Sequence, residues 1–268
     1  MQANNNTVVT LTTIPNRLIN DHINGTKSCI KSLCEQSYKN YEIHFNIPNN
    51  FRLTGEELVI PNWLKDYENT YNHLKIFRTE DHGPVTKILP TLKRITTPNT
   101  VIIVVDDDLV YHDDLIQEHI LKRQHYPDCA IGYDSLGIKS PPIFHDVRDH
   151  YCVSVPFDVE GKILQHYKSV SYLRSFFEED FFKEFLDKTT SDDVLMSAYM
   201  SKQNIRKIVA CYEHEPKLIS LDEWRAHGGV DTFPVLRHTH QDMHHGCNDP
   251  RAGPRFFIPA EWSKKGWV

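Results

Sequence analysis

Three adjacent carboxylates, Asp106, Asp107 and Asp108, follow directly on the apolar run Val101-Ile-Ile-Val-Val105. Neighbouring anions repel, so a cation is expected among them. Carboxylate oxygens suit hard divalent ions such as Mg2+ or Mn2+, which bridge protein carboxylates to phosphate oxygens. The β-branched run has the composition of a strand buried on both faces, and in an open α/β sheet ligands gather beyond the carboxyl ends of strands. The expected ligand is therefore a nucleotide diphosphate with its metal. The alternative is an acidic turn that only caps the next helix, since Asp113 and Asp114 also precede a helical stretch. A second carboxylate pair, Asp192-Asp193, stands at the start of another helical pattern. There one side chain can cap backbone N–H groups while the other projects into a cleft, or both can cap.

The elements that would hold these residues alternate strand and helix. A strand over residues 7–13 breaks at Ile14-Pro-Asn-Arg17, and a helix over 26–36 carries Ile30, Leu33 and Cys34 at helical spacing. A second strand spans 41–47. After a polar loop come a strand over 74–77, a turn at Asp81-His-Gly-Pro84, and a helix over 85–95 that carries Lys87 and is interrupted by Pro90. The carboxylate-ended strand follows. This alternation predicts a mostly parallel sheet with helices on both faces. Farther on, the pattern gives a helix over 115–125, short strands over 130–133 and 151–155, and a Pro-, His- and Asp-rich loop over 141–149. An apolar stretch at 170–173 leads into a Phe-rich helix over 175–186, whose aromatic stripe reads as core. A helix from Thr190-Ser191 to about Lys202 and a late strand over 206–211 complete the pattern. From Asp222 onward the chain is loop-rich.

Whole-chain properties narrow the function. With 268 residues, 40% hydrophobic, the chain can bury a substantial core. The reading is a single domain over 1–268, with a nucleotide-binding half over 1–111 and an acceptor-binding half over 112–268. A net charge of −6 and the lack of any basic run argue against a nucleic-acid partner. No apolar stretch spans a membrane, and the polar start Met1-Gln-Ala-Asn-Asn-Asn6 is unlike a signal peptide. A soluble, cytoplasmic protein is expected. The six cysteines, Cys29, Cys34, Cys129, Cys152, Cys211 and Cys247, lack CxxC spacing and read as reduced, mostly buried thiols.

Several segments, in order, resemble the GT-A glycosyltransferases, and family 2 in particular. They are the first strand with its Thr12-Thr-Ile-Pro-Asn-Arg17 end, Ser32-Leu-Cys-Glu-Gln-Ser-Tyr-Lys-Asn-Tyr-Glu-Ile43, Asp81-His-Gly-Pro-Val-Thr-Lys-Ile-Leu-Pro90, the Asp106-Asp107-Asp108 strand end and Ser191-Asp-Asp-Val-Leu-Met-Ser197. Together they cover about residues 8–210. The resemblance implies a three-layer α/β/α sandwich with a mixed, mostly parallel central sheet.

It also implies roles for these positions. Asp106-Asp107-Asp108 resembles the DXD motif, in which Asp108 ligates Mn2+ or Mg2+ on the diphosphate and Asp106 contacts ribose or metal. Asp107 belongs to the same nucleotide-binding set. Thr12, Thr13, Ile14, Pro15 and Arg17 would frame base and ribose, and the Arg17 fork suits phosphate; a surface arginine after a turn is the plainer reading. Lys87 would offset phosphate or donor-sugar polarity, or stand as a solvated helix lysine. Where many family members carry an acidic uracil contact, this chain has Asn46-Ile-Pro-Asn49, so Asp81, or Arg78 before it, would substitute. Asp193 would act as general base toward an acceptor hydroxyl, with Asp192 orienting the loop or touching acceptor.

Among the sixteen histidines, His238, His240, His244 and His245 cluster in the Gly-, Asp- and Asn-rich tail. His238, His240 or His244 would complete a metal shell as in several GT-A enzymes, a zinc site with Cys247 is conceivable, and loop histidines are the plainest reading. Trp224 would stack on acceptor sugar or pack against the core. The implied activity is transfer of a sugar from a nucleotide donor, UDP-linked by family frequency, to a glycan hydroxyl with inversion. The competing readings are a retaining transferase, a nucleotidyltransferase, and a carbohydrate-binding protein without turnover. A nucleotidyltransferase should carry a glycine-rich basic loop after the first strand, and Ile14-Pro-Asn-Arg17 is not one.

Overall fold

The computed structural model describes residues 7–19, 25–136, 157–185 and 191–211, together with residue 265. Its strands in chain order are β1 (Thr7–Thr12), β2 (Tyr41–Pro48), β3 (Leu74–Thr79), β4 (Val101–Val104), β5 (Ala130–Gly132), β6 (Ser135–Leu136), β7 (Val159–Glu160), β8 (Ile163–Leu164), β9 (Val170–Leu173) and β10 (Lys207–Val209). The helices are α1 (Pro15–Ile19), α2 (Thr26–Cys34), α3 (Asn62–Thr70), α4 (Leu89–Arg94), α5 (Leu115–His125) and α6 (Asp192–Lys202).

Eight strands form one sheet in the order β3-β2-β1-β4-β9-β5-β10-β7, and β6 pairs with β8 in a separate ribbon. β1 is parallel to β2 and β4, β2 to β3, and β5 to β10. β9 runs antiparallel to both β4 and β5, and β7 antiparallel to β10. The sheet is therefore mixed and mostly parallel, as expected. Strand order reverses at β1, which lies between β2 and β4. This makes the carboxyl ends of β1 and β4 a topological switch point, where open α/β sheets bind ligands.

Alternation along β4 builds two cores. Val101, Ile103 and Val105 face the layer that holds Leu33 of α2, Leu64 of α3 and Leu115 and Ile116 of α5. Ile102 and Val104 face Leu89 and Leu92 of α4, Tyr172, and Met196 and Tyr199 of α6. All five β4-region residues are fully buried, which is why an uninterrupted apolar run is required there. The result is helices on both faces of the sheet, three layers in all.

Some expected elements change shape. The polar loop after β2 contains α3, whose packing side carries Trp63, Leu64 and Tyr67. The helix expected over 85–95 splits into a 3-10 turn, Gly83–Lys87, and α4, with Pro90 in the first turn of α4. A proline there has no N–H to contribute to a continuous helix. The helix expected over 175–186 is instead a 3-10 turn, Arg174–Phe176, and one π turn, Phe181–Phe185. Its aromatic stripe is core nonetheless: Phe176, Phe177 and Phe181 are buried, and the Phe177 and Tyr199 rings stack at 5.9 Å. Cys29, Cys34 and Cys129 are buried free thiols and Cys211 is half-buried and free. The expected loop at 141–149, the strand at 151–155, Cys152 and Cys247 lie outside the described residues. No helix among the described residues is long and apolar enough to cross a membrane.

Candidate active site at the strand ends

The three strand-end aspartates divide Arg17, Lys87 and two threonine hydroxyls among them. Asp107 is 4% exposed. Its carboxylate accepts hydrogen bonds from Thr13 Oγ1 at 2.5 Å, Arg17 Nη1 at 2.6 Å and Thr26 Oγ1 at 3.1 Å. These donors come from the end of β1, α1 and the start of α2, so Asp107 ties the two halves of the switch point together. Arg17 also pairs with Asp108, Nη2 to Oδ2 at 2.9 Å. Burial opposes the charge on Arg17, but Asp108 and Asp107 more than offset it and hold the guanidinium protonated. Asp113 and Asp114, rather than Asp106 to Asp108, precede α5. The acidic-turn alternative therefore does not describe the three strand-end aspartates.

Asp106 meets Lys87, Oδ1 to Nζ at 2.5 Å, and the same ammonium lies 2.8 Å from Asp192 Oδ2. One lysine thus joins the two carboxylate centres, which are more than eighty residues apart in the sequence. Burial works against its charge, yet Asp106 and Asp192 raise its pKa above the usual lysine value.

Asp192 and Asp193 open α6, and the cap is neither of them. Ser191 Oγ accepts from Val194 N, which satisfies a free N–H of the first turn. Both aspartates are left to face His166. The His166 Nδ1 lies 2.7 Å from Asp192 Oδ2 and 2.8 Å from Asp193 Oδ1, while its backbone N–H donates to Asp193 Oδ1 at 2.9 Å. On the far side of the ring, Nε2 is 2.9 Å from the Tyr172 hydroxyl. Burial disfavours the imidazolium, but hydrogen bonds to Asp192 and Asp193 push the His166 pKa up to about 9.

The two adjacent carboxylates are driven apart. Against the penalty of burial, Lys87 and His166 hold Asp192 well below the usual carboxylate range. Burial first, and then the charge of Asp192, raise Asp193. Asp193 is also the more open of the two, with 27% of its side chain exposed against 10% for Asp192.

His166 is held in place by a strained turn. Ser169 adopts φ 88°, a left-handed value that is costly for a residue with a side chain. Its N–H donates to His166 O, and its Oγ lies 2.8 Å from Nε2 of the buried His119, which burial keeps neutral.

The remaining expected residues take supporting positions. Ile14 O accepts from Arg17 N and Leu18 N at the start of α1, and Pro15 occupies its first position. Thr12 Oγ1 donates to Asn46 O at 2.7 Å. Asp81 accepts from Arg52 N and Gly83 N, so it organises the turn before Lys87. Arg78 donates to Asn49 and to Leu58 O. Trp224, His238, His240 and His244 lie outside the described residues. Sequence reasoning missed His166, Tyr172 and Thr26; nothing in the spacing of Gln165-His-Tyr-Lys168 reveals that β9 runs antiparallel and brings His166 and Tyr172 to this edge.

The donor set fits a divalent cation. Formally, five carboxylates (Asp106, Asp107, Asp108, Asp192 and Asp193) face three cationic groups (Arg17, Lys87 and His166), an acidic excess in a confined space. His166, Asp192 and Asp193 offer ligand atoms within 4.8 Å of one another. A cation on Asp192 would compete with Lys87, and one on Asp106 or Asp108 with Lys87 or Arg17.

No protein-family model matches the chain, and no curated protein matches it. Solved structures do match. TarS residues 1–349 of S. aureus in complex with UDP align with 78% of this chain and 59% of their own, at 11% identity and a TM-score of 0.50. The chain thus spans less than two thirds of that TarS fragment. A 4-diphosphocytidyl-2C-methyl-D-erythritol synthase from Anaerococcus prevotii DSM 20548 aligns with 84% of this chain and 96% of its own, at 11% identity and a TM-score of 0.52. At such identities the likeness is one of fold: a GT-A-like, nucleotide-diphospho-sugar transferase fold, with the polar site at its switch point.

Proposed function

We propose that this chain is a metal-assisted glycosyltransferase that moves a sugar from a nucleotide donor, UDP-linked, to a carbohydrate hydroxyl with inversion. The observation that carries the reading is Lys87, whose ammonium lies between Asp106 at the diphosphate side and Asp192 beside the open Asp193. A leaving group and an incoming hydroxyl need neighbouring sites of this kind. The UDP complex of the similarly folded TarS supports a uridine diphosphate donor.

In this reading Thr12, Thr13, Ile14 and Pro15 line the nucleoside side, with Asp81 shaping the adjoining turn. Arg17 and Lys87 face the diphosphate. A divalent ion held by Asp106 and Asp108 would supply Lewis-acid stabilisation of the leaving diphosphate. The acceptor hydroxyl attacks the anomeric carbon as the bond to the diphosphate oxygen breaks and its electron pair leaves with the diphosphate. Asp193 takes the hydroxyl proton late in this displacement. Asp192 stays anionic against Lys87 and His166 and keeps Asp193 basic through its charge. Trp224, His238, His240 and His244 are assigned to acceptor stacking and to the metal shell on the strength of sequence alone.

Nucleotidyl transfer is the second reading, favoured by the 96% coverage of the A. prevotii synthase. Against it, β1 leads into Ile14 and a short helix whose Arg17 is engaged by Asp107 and Asp108. Hydrolysis of a panel of nucleotide sugars, with and without Mn2+, separates the two. Metal-dependent release of UDP from one sugar nucleotide supports the glycosyltransferase. Turnover confined to nucleoside triphosphates refutes it.

A further inference from the structure

A buried polar network behind the site has no role in the chemistry above. Thr10 of β1, Asn46 of β2 and Thr91 of α4 are each fully buried. Burying so many polar atoms is costly unless every one is bonded. Here the bonds converge on a single backbone group, the carbonyl of Lys87, which accepts from Thr10 Oγ1 at 2.5 Å and from Asn46 Nδ2 at 3.2 Å. Asn46 Nδ2 also reaches Thr10 Oγ1 at 3.0 Å and Thr91 Oγ1 at 3.1 Å. Arg94 donates to Asn46 Oδ1 at 2.5 Å, and its guanidinium sits 3.7 Å above the Phe77 ring.

The local sequence explains why that carbonyl needs outside donors. It stands at the break between the 3-10 turn and α4. Pro90, three residues on, has no N–H to return to it in a tight turn. The donors come from two sheet strands, so the backbone of residue 87 is pinned to the sheet. Lysine has a long flexible stem, and its ammonium must here meet two carboxylates at once. A pinned backbone narrows where that ammonium can go.

We infer that Asn46 is a positioning residue: with Thr10 it fixes the Lys87 backbone so that the ammonium spans Asp106 and Asp192. Arg94 in turn sets the Asn46 amide so that Nδ2 faces the carbonyl. The inference rests on the reading of Lys87 given under the proposed function, and its first readout does not depend on activity.

The test is Asn46→Asp. The carboxylate keeps the side-chain shape and the Arg94 contact, but it turns an acceptor toward the Lys87 carbonyl. Folded protein, checked by circular dichroism, is treated with acetic anhydride, and acetylation of Lys87 is followed by mass spectrometry against exposed Lys75 as internal standard. Lys87 labelling should rise at least about tenfold, the scale on which loss of one hydrogen bond shifts a local opening equilibrium. Turnover of the UDP-sugar identified by the panel should fall about 100-fold in kcat with little change in KM, as expected for a misplaced group. Unchanged Lys87 labelling in folded Asn46→Asp overturns the inference. Should that variant not fold, Thr10→Val removes the other donor to the same carbonyl, and the same rise or its absence decides. Faster labelling with unaltered turnover would uphold the positioning role and overturn the part given to Lys87 in the reaction.

Discussion

The aspartates after β4 and the aspartates that open α6 solve the same problem of adjacent anions differently. After β4 three carboxylates are met by two cations and two hydroxyls: Lys87 for Asp106, Thr13, Thr26 and Arg17 for Asp107, and Arg17 again for Asp108. At α6 the two carboxylates share one histidine, and only Asp192 also has a lysine. After β4 the cations and hydroxyls stabilise charge and tie β1, α1 and α2 to the strand end. At α6 Lys87 and His166 keep Asp192 firmly ionised, while burial and the charge of Asp192 incline Asp193 to take a proton, the usual basis of acid–base assignment.

The contrast can be broken from either side. Asp107→Ala should have the largest effect on stability, a loss of about 3–5 kcal/mol, because it takes the acceptor from the buried Thr13 and Thr26 hydroxyls and leaves Arg17 with Asp108 alone; thermal or urea unfolding measures it. Lys87→Met removes the cation common to both regions and should cost about 1.5–3 kcal/mol, the range for hydrogen bonds to charged groups. If the regions are coupled through Lys87, a double-mutant cycle between Asp106→Asn and Asp192→Asn will be non-additive in the wild-type background and additive with Met at 87.

The far end of α6 provides a pH control. Lys207 donates to Ser197 O and Ser201 Oγ, and burial, followed by the charge of Lys162, lowers its pKa to about 8. Its folded pKa lies below the unfolded value, so between about pH 8 and 10.5 the unfolded chain binds more protons. Stability should rise with pH across that window, by at most about 1.4 kcal/mol per unit. Lys207→Met should flatten this rise in unfolding measured from pH 7.5 to 10.5. Ser191→Ala should be mildest, about 1 kcal/mol for a lost N-cap. A much larger loss in the Ser191→Ala melt would mean that the cap also holds Asp192 and Asp193 in place.

Much of this architecture was legible in the residues. The helix over 115–125 has the bounds expected, the apolar run before Asp106 is β4, and the βαβ alternation correctly implied a parallel sheet. Asp106, Asp192 and Lys87 each stand out by residue type and position, but nothing in their spacing shows that they meet. Direction was the missing information: composition marks 170–173 as apolar without saying that β9 runs antiparallel beside β4. Only that reversal brings His166 to the carboxyl ends of the parallel strands. Helix α3 is not legible in the sequence because its packing side consists of Trp63, Leu64 and Tyr67 among charged residues, a weak apolar signal. Ser191 as the cap could have been read from its position before two acids, a common helix start.

The proposed mechanism makes Asp193 the base and keeps its centre distinct from the nucleotide centre. Asp193→Asn tests it most directly, since the amide oxygen can still accept from His166 N–H while the basic carboxylate is gone. Transfer and nucleotide binding should be measured on the same preparation, the first by UDP release with the donor found in the panel, the second by calorimetry with UDP and Mn2+. In this variant kcat should fall about 10²–10⁴-fold with UDP affinity nearly unchanged. Turnover retained within a few-fold of wild type would contradict it.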